Sequence, residues 1–246
     1  MTAIELYQAG KLSEAVQAVG AELRANPGDK KKRTFLFELL CFAGEFDRAE
    51  KQLDILGEES NDARMGALLY RAALHAERTR HELFRKREYP KPASDASEPP
   101  ATPGTWNGQP FEHLVDADPR IGPRLEVFAA GQYLWLPFEH IASVEIQPPQ
   151  RLRDLLWAPA LIRPGPALGK DLGEVILPVL APFSSQHPSD AVRLGRVTEW
   201  QEEDGEPAPR GQKMFLVDGE EVPLLELRRL TFLLEAATAD HHASSQ

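Results

Sequence analysis

The sequence "DADPR" contains two carboxylates, Asp116 and Asp118, with the residue types of an acid–base site. Two neighbouring carboxyl groups can act as general acid and general base in a hydrolysis when their surroundings keep one of them protonated. His187 lies in "SSQHPSD", which supplies hydroxyl, imidazole and carboxylate groups. One hypothesis is therefore a hydrolase that uses Asp116, Asp118 or His187. A turn that closes on Pro119 explains the carboxylate pair more simply, and nucleophilic triads usually combine distant segments.

Other motifs with chemical potential are incomplete. "GPALGKD" (165–171) has three residues between its glycines where a phosphate-binding loop needs four, and Asp171 stands where that loop carries Ser or Thr. His81 and Glu82 are adjacent on a predicted helix, but no second His follows at the spacing of zinc proteases. One cysteine and seven scattered histidines do not form a zinc motif. We expect no metal site and no cofactor.

Composition narrows the class of partner. The chain has 246 residues and a net charge of −10, which disfavours nucleic acid and anionic membranes as main partners. The basic run at residues 30–33 is a local exception, which we interpret as the solvated start of a helix. A single cysteine, Cys41, suits a reducing compartment, and neither a membrane span nor a signal peptide is evident. We expect a cytoplasmic protein.

Residues 1–88 carry the elements of a helical repeat. "AGKLSEAV" (9–16) and "AGEFDRAE" (43–50) match in pattern, and Gly10 and Gly44 are 34 residues apart. A period of 34 in paired helices is that of the tetratricopeptide repeat, with glycine in the turn inside each pair. A plain helical bundle with two similar turns is the alternative. A stack of about two and a half units must cover its last helix with the rest of the chain.

The remaining sequence predicts a second region of different type. Residues 89–105 form a Pro-rich linker or strap, 106–238 a β-rich region with a bent sheet or partial barrel, and 239–246 a polar tail. The predicted class is a multi-domain α+β fold. We expect Trp135 and Trp157 to be buried at the junction. Alternating or β-branched runs predict strands within 124–138, 143–147, 155–162, 173–180, 192–200 and 213–227, with a hairpin turn at 218–221. Residues 227–237 are predicted to end the fold as a strand or a short helix.

Several phrases of the β-rich region are more specific than the repeats. "NGQPFEHLVDADPRIGPRLEV", "GQYLWLPFEHI", "PPQRLRDLLWAPA", "RLGRVTEW" and "DGEEVPLLELR" together resemble the ImpE/TagJ family of type VI secretion accessory proteins. The resemblance implies a non-enzymatic adaptor that binds the N-terminal helix of the small contractile-sheath subunit. It also implies an influence on sheath assembly or recycling, in association with the recycling AAA+ ATPase.

Repeat geometry suggests where such a helix could bind. In tetratricopeptide-like stacks the first helix of each pair lines the concave face. A groove for an amphipathic helix needs apolar area with a few polar anchors. Aligning the two pairs on their turn glycines places seven candidate contact residues on this face: Tyr7, Thr34, Glu38, Cys41, Leu68, Ala72 and His75.

Overall fold

The N-terminal region is helical. The structure, a computed structural model, describes residues 1–58, 60–90, 102–169, 172–203 and 205–233. Residues 91–101 of the predicted linker and the predicted tail lie outside this description. Consecutive helices pack on one another. They are α1 (Ala3–Gln8), α2 (Leu12–Ala25), α3 (Lys30–Phe42), α4 (Phe46–Gly57) and α5 (Asn61–Lys86).

The two predicted repeat turns adopt the same conformation. Gly10 has φ +76° and Gly44 has φ +71°, a region that favours glycine over residues with a Cβ atom. In both turns the residue after the glycine donates its N–H to the carbonyl five residues earlier, at 2.9 Å. Ala15 and Ala49, which follow each glycine by five residues, are fully buried. The repeated octet is therefore a repeated inter-helix turn, as predicted.

The remainder of the chain is built mainly from antiparallel strands. Eight strands form one sheet in the order β2-β1-β13-β6-β7-β8-β4-β5, three form a second sheet in the order β12-β11-β3, and β9 and β10 form a separate hairpin. The strands are β1 (Gly104–Trp106), β2 (Gln109–Phe111), β3 (Leu114–Asp116), β4 (Arg124–Ala129), β5 (Gln132–Pro137), β6 (Ile141–Ile146), β7 (Trp157–Pro164), β8 (Glu174–Pro178), β9 (Glu199–Glu203), β10 (Glu206–Arg210), β11 (Met214–Val217), β12 (Glu220–Pro223) and β13 (Arg229–Phe232).

One predicted strand is wrong in its first half. Within residues 192–200 only the end is extended, because the short helix α6 (Asp190–Arg193) precedes β9. Gly195, at φ +67°, ends this helical turn, and a Cβ atom there would lie 2.5 Å from the Leu180 side chain. Val192 and Leu194 are both buried, so a one-turn helix reproduces the spacing that the sequence analysis interpreted as a strand.

The helical and β-rich regions share a core. Trp157, at the start of β7, is buried in the same cluster as the helices, where its ring lies 6.4 Å from Phe37 and 6.2 Å from Tyr70. The C-terminal half of α5 packs on the edge strand β5. The β-rich region thus covers the last helix of the stack, as expected. Trp157 is buried as predicted, whereas Trp135 is only half-buried.

Candidate functional site

The carboxylate of Asp116 belongs to a buried ionic cluster between α5 and the sheets. Lys213 Nζ lies 2.5 Å from Asp116 Oδ2 and 2.5 Å from Glu126 Oε2. Glu126, on β4, also accepts two hydrogen bonds from the Arg80 guanidinium of α5, at 2.7 and 2.8 Å. All four side chains are at least 97% buried. The cluster therefore joins the helical region to the β-rich region through charged groups.

Two strongly basic side chains face three carboxylates in this cluster. Arg80 and Lys213 contact Glu77, Glu126 and Asp116, and His81 Nε2 also lies 3.3 Å from Glu77 Oε1. Burial raises the pKa of Asp116 to about 7, although Lys213 opposes the shift. Burial also acts to raise the pKa of Glu126, but the attraction of Arg80 and Lys213 outweighs it and lowers that pKa to about 2. Of these two carboxyl groups, Asp116 is therefore the one that takes up a proton as the pH falls through about 7.

Asp118 has a separate set of partners. Its carboxylate accepts a bidentate pair of hydrogen bonds from Arg120, at 2.8 and 2.7 Å. Arg120 and Arg210 also converge on Glu203, at 2.7 and 3.0 Å. Asp116 and Asp118 are thus both buried, and each contacts a basic side chain, Lys213 for Asp116 and Arg120 for Asp118. His187 is buried too, and its Nδ1 accepts the Ser189 N–H at 3.1 Å.

Arg80, Glu126 and Lys213 are functional-site candidates that the sequence pattern did not predict. The burial of Arg80 was predictable from the sequence, because Arg80 lies four residues from both Ala76 and Phe84 on one helix face. Both of these residues are buried on the inward face of α5. A basic residue on an apolar helix face needs a buried partner. The burial of Lys213 was not predictable in this way, since its partners Asp116 and Glu126 lie on strands distant in sequence.

Part of the predicted concave face is occupied by the chain itself. Residues Leu152–Leu155 form a short 3₁₀ helix that lies against α3. Arg153 donates to Glu38 at 3.2 Å and lies 4.8 Å above the Tyr70 ring. Burial raises the pKa of Glu38, and Arg153 partly counters this effect. Cys41 is buried beside Trp157, and its burial raises the pKa of its thiol. Glu38 and Cys41 therefore contact the β-rich region.

The other candidate contacts lie at different places. Leu68 and His75 are exposed on α5, and Thr34 is half-buried on α3. Ala72 packs beneath the β4–β5 turn, where a Cβ atom on Gly131 would lie 3.4 Å from its own. The structure does not bring all seven residues into one groove. Their role in partner binding stays a prediction.

Tyr7 borders a groove open to solvent, with a volume of about 860 Å³. Its ring packs edge-to-face on Phe35, with 5.9 Å between centroids, and Arg196 lies 5.2 Å from its centre. The charged lining residues of the groove are the basic Lys31, Lys32 and Arg151 and the acidic Glu22 and Asp29, and Lys31 and Arg151 are exposed. The lining comes from α1, the second half of α2, the first two turns of α3 and the 149–155 segment; its apolar members are Ala3, Ile4, Tyr7, Val19, Phe35, Pro149, Leu152 and Leu155.

Neither a metal site nor a membrane span is found in the described part of the chain. No group of three or more His, Cys, Asp or Glu side chains there is arranged to hold a metal ion. None of the described helices is long and apolar enough to span a membrane.

Known proteins resemble this chain in sequence and in fold. A family model described as "ImpE protein" matches residues 108–231. The type VI secretion system accessory component TagJ of Pseudomonas aeruginosa is 34% identical, over 94% of this chain and 91% of that protein. The crystal structure of protein VPA1032 from Vibrio parahaemolyticus superposes with a TM-score of 0.80 at 23% identity, covering 96% of this chain and 98% of the other. This chain belongs to the ImpE/TagJ family of type VI secretion accessory proteins.

Proposed function

We propose that this protein is a non-enzymatic adaptor that binds the N-terminal helix of the small contractile-sheath subunit in the cytoplasm. Binding there would modulate sheath assembly or recycling, together with the AAA+ ATPase that recycles the sheath. The observation that carries the proposal is the open groove beside Tyr7. Its apolar floor and polar rim match the mode in which an amphipathic helix lies in a groove of the receiving protein.

The groove is a better docking surface than the predicted concave face. The 3₁₀ helix and Trp157 already cover part of that face, so a partner that reached Glu38 would first have to displace Arg153 from Glu38 and Tyr70. The groove needs no such displacement. Tyr7 is the predicted contact residue that lines it. Leu68 and His75, exposed on α5, form a second surface that the same partner could touch.

A binding experiment tests the proposal directly. The small sheath subunit, full-length and without its N-terminal helix, is titrated into the protein in a calorimeter. We expect the full-length subunit to bind and the truncated one to lose binding. Equal binding of both forms would contradict the proposal. Adding the recycling ATPase to the preformed complex then shows whether it joins the complex or displaces the subunit.

The hydrolase alternative has a separate test. The pKa of Asp116, about 7, is the one property here that suits a general acid. Turnover of ester, phosphate and nucleotide substrates is measured for the wild type and for Asp116→Asn. We expect no turnover. Activity that Asp116→Asn abolishes without unfolding the protein would favour the hydrolase.

A further inference from the structure

The hairpin of β9 and β10 is separate from the two larger sheets. In the described part of the chain it forms a two-stranded sheet of its own, so each strand has an outer edge that pairs with no other strand. Four of the five residues of β9 are exposed, and one of them, Trp200, is a large apolar side chain that is 40% exposed. No residue of the hairpin lines the groove beside Tyr7. The hairpin is therefore a second surface, on the β-rich region.

Two prolines determine which backbone groups of the hairpin point outward. Pro207 pairs with Glu202, and Pro209 pairs with Trp200. Because proline has no N–H, neither pair can exchange the two hydrogen bonds of a hydrogen-bonded antiparallel pair. Both pairs are therefore of the non-hydrogen-bonded type. In such a pair the N–H and C=O groups of each residue point away from the other strand.

The two outer edges of the hairpin differ as a result. The outward positions of β10 hold Pro207 and Pro209, so this edge offers no N–H there and is protected against pairing. The outward positions of β9 hold Trp200 and Glu202, each with an N–H and a C=O. No described residue forms a backbone hydrogen bond with these groups. Of the two edges, the one along β9 is open to an added strand.

The two faces of β9 also differ in their surroundings. Glu203, on one face, accepts hydrogen bonds from Arg120 at 2.7 Å and from Arg210 at 3.0 Å, so its charge is compensated within the protein. Side chains alternate along a strand, which places Trp200 and Glu202 together on the opposite face. The Glu202 carboxylate has no ion-pair partner among the described residues. This face therefore presents an aromatic side chain beside an uncompensated negative charge.

We infer that the outer edge of β9 binds an extended basic segment of a partner protein, which adds to the hairpin as a third strand. The backbone groups of Trp200 and Glu202 form the hydrogen bonds, as in other complexes made by strand addition. The side chains select the sequence of the segment. A lysine or arginine lies opposite Glu202, and a β-branched or aromatic residue lies opposite Trp200, two positions away.

The charge of β9 favours such a segment over a second copy of this chain. The strand reads Glu-Trp-Gln-Glu-Glu, with three glutamates and no basic residue. Two copies paired along this edge would concentrate carboxylates on one short ladder without a counter-charge, and like charges that face each other across strands are destabilising. Charged side chains commonly protect an edge strand in this way. A basic segment turns the same charge into an attraction.

Amide hydrogen exchange tests whether the edge is open. The N–H of Gln201 points into the hairpin, because Gln201 lies between the two non-hydrogen-bonded pairs, whereas the N–H groups of Trp200 and Glu202 point outward. We expect these two amides to exchange at least about tenfold faster than that of Gln201 in the protein alone. Equally slow exchange at all three would show that the edge is already covered and would overturn the inference.

A peptide tests the chemistry of the added strand. The probe has threonine at alternate positions, with valine and lysine alternating between them, and it is titrated to millimolar concentration while the amides of β9 are followed by NMR. We expect binding that slows exchange at Trp200 and Glu202. Replacing the lysines by glutamates should abolish binding, and so should N-methylation of the valines and lysines, which removes the hydrogen-bond donors. Absence of binding, or equal binding of all three peptides, would overturn the inference.

Matched substitutions separate backbone pairing from charge. Glu202→Gln removes the carboxylate alone, whereas Glu202→Pro also removes the outward N–H, which the hairpin itself does not use. We expect Glu202→Gln to weaken binding of the lysine peptide several-fold and Glu202→Pro to weaken it at least about tenfold. Glu220→Gln, at an exposed position of β12, is the control and should leave binding unchanged. Wild-type binding by Glu202→Pro would contradict strand addition.

A sizing column tests the other occupant of the edge. We expect the wild type to elute at the same volume at every protein concentration. A dimer that forms as the concentration rises and is lost in Glu202→Pro would show that a second copy pairs with β9. That result would overturn the assignment of this edge to a basic partner.

Discussion

Arg80 is the charged side chain on which the junction between the two regions depends most. It is 1% exposed, and its guanidinium contacts Glu126 on β4 and Glu77 one turn earlier on its own helix. Desolvation acts against its charge, but these carboxylates outweigh that effect and raise the pKa of Arg80 further above its ordinary value. Removing one member of such a cluster leaves the others buried without compensation.

We therefore expect Arg80→Met to lower the free energy of unfolding by about 3–5 kcal/mol, since Glu126 would lose its main cationic partner in a buried position. Arg78→Met is the matched control, because Arg78 pairs with Asp47 and Glu50 at the surface. That change should cost less than about 1 kcal/mol. Urea unfolding at pH 7 measures both, and similar losses in the two variants would contradict the structural role of Arg80.

Asp116 should make the stability depend on pH in an unusual direction. The folded carboxyl keeps its proton up to about pH 7, whereas the unfolded one loses it near 3.8. The folded state therefore binds more protons between these values, and the free energy of unfolding falls as pH rises through this window. Asp116→Asn removes this dependence.

Comparing urea unfolding of the wild type and Asp116→Asn from pH 4 to 8 isolates the effect, because Glu126 titrates in both proteins. Relative to the variant, the wild type should lose up to about 1.4 kcal/mol per pH unit across the window. A difference that stays constant with pH would show that Asp116 is ionised throughout.

At the level of single residues, the sequence predicted only part of the candidate site. Asp116 and Asp118 were identified as a notable pair, but the sequence could not show that Lys213 and Arg120 bind them. The Lys213–Asp116 bond joins residues 97 positions apart, and no local pattern encodes such a pairing. Arg80 was detectable in principle, because it interrupts the apolar face of α5.

At the level of elements, local signals sufficed for the helices. Apolar spacing and turn glycines predicted α2 and both inter-helix turns, since these depend on contacts close in sequence. The 3₁₀ helix at Leu152–Leu155 was missed, because it lies on α3 through contacts such as Arg153 with Glu38, 115 residues away. The groove was not predicted for a related reason. It forms only where α1, α3 and the 149–155 segment meet, and these segments are distant in sequence.

The two turn glycines should differ in their tolerance of a side chain. Gly10→Ala and Gly44→Ala both place a Cβ atom at positive φ, which costs about 1 kcal/mol or more. At Gly44 that Cβ would also lie 2.5 Å from Ser185 Oγ, whereas at Gly10 it meets only the end of Arg196, at 3.3 Å. We expect Gly44→Ala to lower the melting temperature more than Gly10→Ala.

A double mutant provides the control for this comparison. Ser185→Gly removes the atoms that the new Cβ would strike, so Gly44→Ala should cost less in that background and approach the cost of Gly10→Ala. An unchanged cost in the Ser185→Gly background would mean that the backbone conformation alone is responsible.

On the scale of the whole molecule, the shared core predicts that the two regions unfold together. Trp157 fills the helical core, and the buried cluster of Arg80, Glu126 and Lys213 crosses the junction. A protease site inserted among residues 91–101 allows the chain to be cut between them. We expect the cut protein to run as one species on a sizing column and to unfold in a single transition. Two separable, folded halves would contradict a shared core.

The position of β13 has a consequence for the synthesis of the protein. This strand lies between β1 and β6, and the Leu233 N–H donates to the Pro103 carbonyl at 2.8 Å. The large sheet therefore cannot close until the ribosome has released β13, which follows β1 by more than a hundred residues. The helices depend on local contacts and can form much earlier. During translation the nascent helical stack would therefore expose the apolar surface that Trp157 later covers. A chaperone could protect this surface until β13 emerges.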